Sequence, residues 1–358
     1  MRSEIKSAVI MGMVIAGAIA ILGVYFASLD QAPSIQSGVT DKSRFDKAPE
    51  LVGITGYINT NSNIQEKIKG KVVLYDIWTS SCINCQRTIP YITAWDEKYS
   101  NQGLVIIGIH SPEFEFEKDI NNVRAAVEKF GIKYPVVLDN DKQTWDAFEN
   151  RYWPRKYLAD DEGYVRYDHI GEGAYEETEK IIQQLLQERA ERLGLSVAST
   201  QPLVNLEEFE HGSRTPELYF GYDFAFGRSQ IGNPEGFRPQ QEVTYATPEK
   251  LDANKFYLEG TWKNLDDRMA LVSESGRIIL PYFAKQVNIV AGGDSRLEIL
   301  LDGEKITEKL AGIDVNPDGS VSINTPTLYN LVSSEESSPH IIEIQAKSGF
   351  EIYTFTFG

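Results

Sequence analysis

Cysteine and histidine are scarce in this sequence of 358 residues. It contains only two cysteines, Cys82 and Cys85, and four histidines, none of which are spaced as H-x-H or H-x-x-x-H. Two cysteines are too few for a disulfide scaffold or a cysteine-built zinc site, but they suffice for one redox pair. The sequence therefore predicts neither a metal site nor a resident cofactor.

Positive charge is also in short supply. The chain has 35 Lys and Arg residues against 52 Asp and Glu residues, which gives a formal net charge of −17. A surface this acidic repels nucleic-acid phosphates, so nucleic acid is excluded as a partner. Hydrophobic residues make up 42% and charged residues 24%, as in ordinary globular proteins. At roughly 150 residues per domain, the length predicts two or three domains.

A long hydrophobic run lies near the N-terminus, where residues 7–29 carry no charge. At about 1.5 Å per residue, a helix of this length spans the hydrocarbon core of a membrane. No A-x-A cleavage signal follows it, which predicts a retained transmembrane signal-anchor over 8–29 rather than a cleaved signal peptide. Arg2 and Lys6 precede the run, so residues 1–7 are expected in the cytoplasm and the folded domains outside the cell membrane.

The segment after this run has the composition of a linker and then of an α/β domain. Residues 30–48 are polar and contain Pro, Gly and Ser, whereas residues 49–195 alternate short apolar runs with helical stretches. This alternation predicts an α/β layer fold with a mostly parallel central sheet. Strands are expected at 71–78, 104–110, 135–139, 156–159 and 164–170, and helices from 82 to about 98, from 116 to 130 and from 175 to 192.

The two cysteines form a C-I-N-C motif directly after the first predicted strand and its turn. Ser80 or Ser81 is expected to cap the following helix, which leaves the Cys82 sulfur over free backbone N–H groups. That position favours the thiolate, which is the attacking species. Cys85 lies one helical turn further on, where its sulfur can form or resolve a disulfide with the first. A purely structural disulfide closing so short a loop would add little stability.

The segment D-I-W-T-S-S-C-I-N-C-Q-R-T-I-P resembles the active site of exported thioredoxin-fold proteins of the TlpA-like, or redoxin, group. The resemblance extends in particular to the C-terminal region of DipZ-type proteins and covers about residues 49–358. It implies a thioredoxin-like domain followed by a carbohydrate-binding-module-like domain. The other segments that carry it are GIHSPEFEFEK (108–118), NRYWPRKYLADDEG (150–163), HIGEGAYEETE (169–179), TPELYFGY (215–222) and YTFTFG (353–358).

The resemblance also implies roles for individual residues. Cys82 corresponds to the solvent-facing attacking cysteine and Cys85 to the buried resolving one. Asp76 corresponds to a buried acid that moves a proton to or from the resolving cysteine, and burial should raise the pKa of such a carboxylate. Trp153-Pro154 corresponds to a cis-proline turn, whose backbone pairs with an extended substrate peptide.

Two further residues are implied to support the site. Trp78 corresponds to an aromatic packed beneath the active-site turn, and Pro90 to a proline that kinks the first helix because it has no N–H to donate. Taken as single residues, Asp76 could instead be a polar residue facing the sheet edge, and Trp78 an ordinary core residue.

The C-terminal part of the chain has a different hydrophobic pattern. Residues 196–209 resemble a linker, and residues 210–358 contain short apolar or alternating runs separated by Gly, Pro, Asn and Asp. This pattern predicts an all-β sandwich of jelly-roll-like type. Strands are expected at 255–262, 277–283, 286–292, 296–303, 327–332, 340–346 and 351–358.

Four aromatic residues of this second domain could stack on sugar rings, but core packing is the favoured interpretation. They are Trp262, Tyr219, Tyr222 and Tyr282. Carbohydrate is therefore a secondary candidate ligand, and the domain is expected to serve mainly as a docking or spacer module.

These features together predict a membrane-anchored extracytoplasmic thiol–disulfide oxidoreductase that reduces protein disulfides. One anchor helix cannot carry electrons across a membrane, so the resemblance implies a separate membrane reductase, CcdA-like, as partner. The dipeptide Ile83-Asn84 is neither the Gly-Pro of reducing thioredoxins nor the Pro-His of strong oxidases, which leaves the redox direction open.

Two alternatives remain at this point, and two others are disfavoured. A disulfide-donating oxidase would run the same exchange backwards, and a surface glycan-binding protein would use the redox domain only as an auxiliary. A peroxiredoxin is disfavoured, because the proline of its P-x-x-x-T-x-x-C signature would fall at Tyr75. A copper-delivering protein would need C-x-x-x-C spacing.

Overall fold

The computed structural model describes residues 41–195, 202–209 and 212–358. The predicted signal-anchor over 8–29 lies outside the described residues. Within the described part, no helix combines the length and the apolar character needed to cross a membrane. Residues 45–358 form one compact unit, which contains both predicted folded domains.

The first domain is built on a six-stranded sheet. Its strands are β1 Gly56–Ile58, β2 Val72–Trp78, β3 Leu104–His110, β4 Val136–Leu138, β5 Arg155–Ala159 and β6 Val165–Ile170. Their order in the sheet is β1–β4–β3–β2–β5–β6. Only the β2–β3 and β3–β4 pairs are parallel. The prediction of a mostly parallel sheet was therefore wrong, because β1, β5 and β6 pair antiparallel with their neighbours.

Helices cover both faces of this sheet, which explains why every residue of β2 is buried. The helices are α1 Ile64–Lys67, α2 Ile83–Tyr99, α3 Ile120–Lys129, α4 Gln143–Ala147 and α5 Tyr175–Leu193, with short 3₁₀ turns at Ser100–Gln102 and Glu115–Lys118. Helix α2 turns Ile89, Ile92, Trp95 and Tyr99 to the core. Spacings of three and four residues place these side chains on one helical face.

The second domain confirms the predicted all-β class, apart from the short helix α6 Tyr222–Ala225. Its strands are β7 Leu218–Tyr219, β8 Glu242–Tyr245, β9 Tyr257–Asn264, β10 Met269–Leu271, β11 Ser275–Gly293, β12 Ser295–Leu301, β13 Glu304–Lys305, β14 Ser320–Ile323, β15 Thr327–Lys347 and β16 Phe350–Phe357. They form one hydrogen-bonded path in the order β13–β12–β15–β11–β16–β10–β9–β8, with β14 on β12 and β7 on β16. The jelly-roll-like sandwich stays a prediction.

In two places, two strands that were predicted as separate form one continuous strand in the structure. The runs at 277–283 and 286–292 both lie in β11, and those at 327–332 and 340–346 both lie in β15. A register shift between Ala284 and Gln286 lets the chain bend without leaving the sheet. The shift lies at Lys285, opposite residues 334–337, so the polar residues between the predicted strands mark an irregularity within long strands.

Candidate active site

The C-I-N-C motif begins helix α2 directly after β2 and its turn. Cys82 is the N-cap residue, and its Sγ accepts a hydrogen bond from the Cys85 backbone N–H at 3.3 Å. The predicted cap from Ser80 or Ser81 is therefore wrong, because the cysteine sulfur itself occupies the capping position. Both thiols are free; Cys82 is partly exposed, whereas Cys85 is buried. The motif thus presents one accessible sulfur and one shielded sulfur.

The environment of Cys85 keeps its thiol protonated. Burial, the hydrogen bond with Cys82 and the negative charges at Cys82 and Asp76 together raise the pKa of Cys85 well above its ordinary value. This thiol can therefore act as a nucleophile only after a base has accepted its proton.

Asp76 lies on the central strand β2, between Gly108 of β3 and Lys156 of β5. Its side chain is buried, and burial raises its pKa to about 7, with the Lys156 charge acting in the opposite direction. Within the described residues, its Oδ1 atom has no hydrogen-bond partner. A carboxyl group of this kind can gain or lose a proton near neutral pH.

Lys156 is a site residue that the sequence interpretation missed. It is fully buried, and its Nζ donates to the Gly171 carbonyl at 3.1 Å. Burial lowers its pKa to about 8, although the charges of Asp76 and Cys85 act against this shift. The signal in the sequence was a lysine within a short apolar strand. This strand begins directly after the Trp153-Pro154 dipeptide.

The Trp153-Pro154 peptide bond is cis in the structure. The indole Nε1 of Trp153 donates to the Ser111 carbonyl at 2.9 Å, and its ring lies 4.3 Å from that of Trp145. The Pro154 carbonyl accepts from the Gly171 backbone N–H at 2.8 Å. This turn is thus held by contacts on both of its sides.

The two residues expected to support the site lie in different environments. Trp78 is fully buried in the core cluster that contains Cys85, and its ring centroid lies 5.1 Å from that of His110 in an edge-to-face arrangement. A side chain on Gly108 would meet its indole nitrogen at 3.0 Å, so this close packing depends on glycine. Pro90 lies inside α2 on its exposed side, and the predicted kink stays a prediction.

The second domain packs against the active-site motif. One apolar cluster, which we call the interface cluster, joins the two domains and consists of Phe114, Tyr219, Ala225, Val290, Leu328 and Tyr353. Ile83, the first residue between the two cysteines, packs against this cluster. The dipeptide that separates the cysteines therefore packs against a cluster to which both domains contribute.

Arg87 provides a positive charge near Cys82, and the sequence interpretation did not identify it. Its guanidinium donates to the Gln286 side chain at 3.0 Å, lies 3.5 Å from a Glu172 carboxylate oxygen and stacks 3.4 Å from the Phe209 ring centroid. Burial lowers the pKa of Arg87, whereas the charges of Glu172 and Cys82 act in the opposite direction. A residue of the second domain, Gln286, thus helps to orient this cation.

The aromatic residues considered for sugar stacking are mostly core residues, as the sequence favoured. Trp262, Tyr219 and Tyr282 are all less than one-tenth exposed, whereas Tyr222 is half-buried and accepts a hydrogen bond from Gln240 at 2.8 Å. The three buried rings cannot present a face to a sugar in this arrangement.

Comparison with known proteins identifies two domain types in the chain. The Redoxin family model matches residues 44–186, and the family model described as a thioredoxin-like C-terminal domain matches residues 215–358. These matches confirm the resemblance read from the sequence for both halves of the chain.

Individual relatives are similar to the whole chain or to its first half. The chain is 35% identical over 340 residues to Protein DipZ of Mycobacterium bovis, a match that covers 94% of this chain and 46% of DipZ. It is 29% identical over 140 residues to the thiol-disulfide oxidoreductase YkuV of Bacillus subtilis, which covers 39% of this chain and 94% of YkuV. The chain thus spans about half the length of DipZ.

Among solved structures, a thioredoxin-like protein in its oxidised form is 28% identical, with a TM-score of 0.38. That match covers 40% of this chain and 97% of the other.

Proposed function

We propose that this chain reduces disulfides in other proteins outside the cytoplasm, because residues 44–186 match the Redoxin family model and the chain is similar to the thiol-disulfide oxidoreductase YkuV over 140 residues. One observation carries the proposal. A partly exposed Cys82 stands at the start of a helix, while its partner Cys85 is buried near a carboxyl group whose pKa is about 7.

The reaction proceeds in two exchanges. In the first, the Cys82 thiolate attacks one sulfur of a partner disulfide, so that a Cys82–partner disulfide forms and the other partner sulfur leaves as a thiolate. In the second, Cys85 gives its proton to Asp76 and attacks the Cys82 sulfur. The Cys82–Cys85 disulfide forms, the second partner sulfur leaves, and two electrons have passed to the partner.

The reducing direction is part of the proposal. Strong oxidases owe their potential to a stabilised reduced form, in which the attacking thiolate is favoured. A disulfide-donating oxidase remains the alternative, and the reduction potential distinguishes the two.

The cellular setting is part of the proposal. The uncharged run over 8–29 would anchor the chain, place the folded domains on the extracytoplasmic side and leave the oxidised pair dependent on a CcdA-like membrane reductase for electrons. Cell fractionation followed by alkaline extraction of membranes distinguishes an anchored chain from one that has been cleaved and released.

The proposal also assigns binding roles. Trp153 and Pro154 would pair with the backbone of the substrate, and carbohydrate binding by the second domain is the secondary proposal.

The proposed activity predicts catalysed reduction of a model protein disulfide. With dithiothreitol as the electron source, we expect the full-length protein to accelerate insulin reduction severalfold over the uncatalysed rate. The matched control is the same protein alkylated at Cys82 before the assay, which should give the background rate. If untreated and alkylated protein gave equal rates, the proposed function would be wrong.

A further inference from the structure

Glu117 is a fully buried carboxylate in the 3₁₀ turn Glu115–Lys118, and no role was assigned to it from the sequence. Its Oε1 atom accepts hydrogen bonds from the Ser80 hydroxyl at 3.2 Å, from the Ser81 backbone N–H at 3.0 Å and from the Ser81 hydroxyl at 2.7 Å. Ser81 directly precedes Cys82, so this oxygen holds the turn that delivers the attacking cysteine.

The second oxygen of Glu117 holds a different segment. Its Oε2 atom accepts from the backbone N–H groups of Glu113 at 2.7 Å and Phe114 at 3.1 Å. One carboxylate therefore joins residues 113–117 to the serine turn. Three of the five groups that donate to Glu117 are backbone N–H groups. Without the carboxylate, these N–H groups would lose their hydrogen-bond acceptor.

The charge of Glu117 is maintained by these donors. Burial works against its ionisation, but the hydrogen bonds from Thr79 and Ser81 hold the pKa of Glu117 below its ordinary value. The His110 ring accepts from the Ser80 backbone N–H at 3.2 Å through Nε2, and burial lowers its pKa to about 4, so the ring is neutral. Charge-assisted hydrogen bonds therefore stabilise the buried anion.

The segment 113–116 is also where the second domain docks. The Tyr219 hydroxyl donates to the Glu113 carboxylate at 2.9 Å, and the Glu115 backbone N–H donates to the Asp267 carboxylate at 3.2 Å. The Tyr353 ring lies 5.1 Å from the rings of both Phe114 and Phe116. A continuous set of contacts therefore runs from the second domain through this segment and Glu117 to the serine turn.

We propose that Glu117 is a positioning residue that fixes the Ser80-Ser81 turn ahead of Cys82 and makes the reactivity of Cys82 depend on docking of the second domain. The inference rests on the proposed thiol–disulfide chemistry and gives the second domain a part in it. Glu117 itself does not touch the reacting sulfurs; it acts through the two serines.

Glu117→Gln tests the positioning role in the full-length protein, with Glu115→Gln as its matched control. Glutamine keeps the shape of Glu117 but presents an N–H₂ group to N–H donors. Glu115 lies in the same turn, and among the described residues its exposed side chain forms only an ion pair with Lys118 at 2.6 Å. We expect Glu117→Gln to slow the attack of Cys82 on insulin about tenfold and to move the pH midpoint of Cys82 alkylation. Glu115→Gln should stay within about twofold of wild type.

The coupling to the second domain is tested by Tyr353→Leu, which removes the aromatic contact with Phe114 and Phe116. This substitution should slow the attack of Cys82 in the wild-type background and have no further effect when Glu117→Gln is also present. Independent, additive effects of the two substitutions would contradict the coupling.

Two results would overturn the positioning role. One is a Glu117→Gln protein that is folded by circular dichroism and matches Glu115→Gln in both rate and alkylation profile. If Glu117→Gln does not fold, Ser81→Ala removes one hydroxyl donor and should slow the attack of Cys82 about threefold; an unchanged rate overturns the proposal in that case. A wild-type protein that does not reduce insulin contradicts the proposed function instead, whereas an active wild type with an equally active Glu117→Gln contradicts only this inference.

Discussion

Replacing Cys85 with serine is expected to leave the protein covalently joined to its disulfide partners through Cys82. The first exchange needs only the accessible Cys82 sulfur, which the substitution leaves in place at the start of α2. The second exchange needs the thiol of Cys85, which serine cannot replace, because its hydroxyl does not form a disulfide. Turnover of insulin should fall at least a hundredfold, while a mixed disulfide accumulates.

Non-reducing gel electrophoresis and mass spectrometry of Cys85→Ser measure this adduct, both with insulin and in cell extracts. Cys82→Ser is the matched control, because it differs by the same sulfur-to-oxygen change three residues away and should form no adduct. Adducts that form equally with both variants, or with neither, would contradict the assignment of Cys82 as the attacking cysteine.

Replacing Asp76 with asparagine is expected to slow disulfide reduction about 100-fold near pH 7, the lower end of the typical contribution of a general base. Asp76 accepts a proton only when it is ionised, and burial raises its pKa to about 7. The wild-type rate should therefore rise as the pH passes through about 7. The variant should lack this rise, and a rate profile identical to that of wild type would exclude Asp76 as the base.

The same carboxyl group should make the folded protein less stable as the pH rises, although it makes the reaction faster. The folded-state pKa of Asp76, about 7, lies above its ordinary value of 3.8, so the folded protein holds this proton more tightly than the unfolded chain. The stability from the bound proton is present below pH 3.8 and lost as the pH rises through about 7. Relative to Asp76→Asn, wild type should lose roughly 2–4 kcal/mol between pH 4 and pH 8. Urea unfolding at the two pH values measures this difference.

Local sequence patterns were sufficient for much of the first domain. The uninterrupted apolar run of β2, the start of α2 at the cysteine motif and the strand β3 were all predicted to within one or two residues. Each of these elements is buried on both faces or on one helical face, and its hydrophobic pattern therefore records its environment directly.

Residues whose role depends on distant partners could not be predicted. Glu117 lies in the acidic run E-F-E-F-E-K, which is typical of a solvated helix, and its partner Ser81 is 36 residues away in the chain. Arg87 meets Gln286 across 199 residues. Nothing in the local sequence distinguishes these side chains from exposed ones, because their burial arises only when separate segments pack together.

The contact between the two domains also escaped the sequence interpretation, which treated the second domain as a docking or spacer module. The interface cluster is composed of aromatic and aliphatic residues that are equally consistent with the core of either domain. The packing of Ile83 against this cluster reveals that the dipeptide between the cysteines lies where the two domains meet.

The central claim is that Cys82 and Cys85 form a redox couple that donates electrons to protein disulfides. Its most direct test is equilibration of the full-length protein in buffers of reduced and oxidised dithiothreitol or glutathione, followed by acid trapping and counting of free thiols by mass spectrometry. The account predicts one two-electron transition near the thioredoxin end of the scale, at about −270 mV. A transition near about −120 mV would indicate a disulfide donor, and two thiols that stay free in every buffer would contradict the redox function itself.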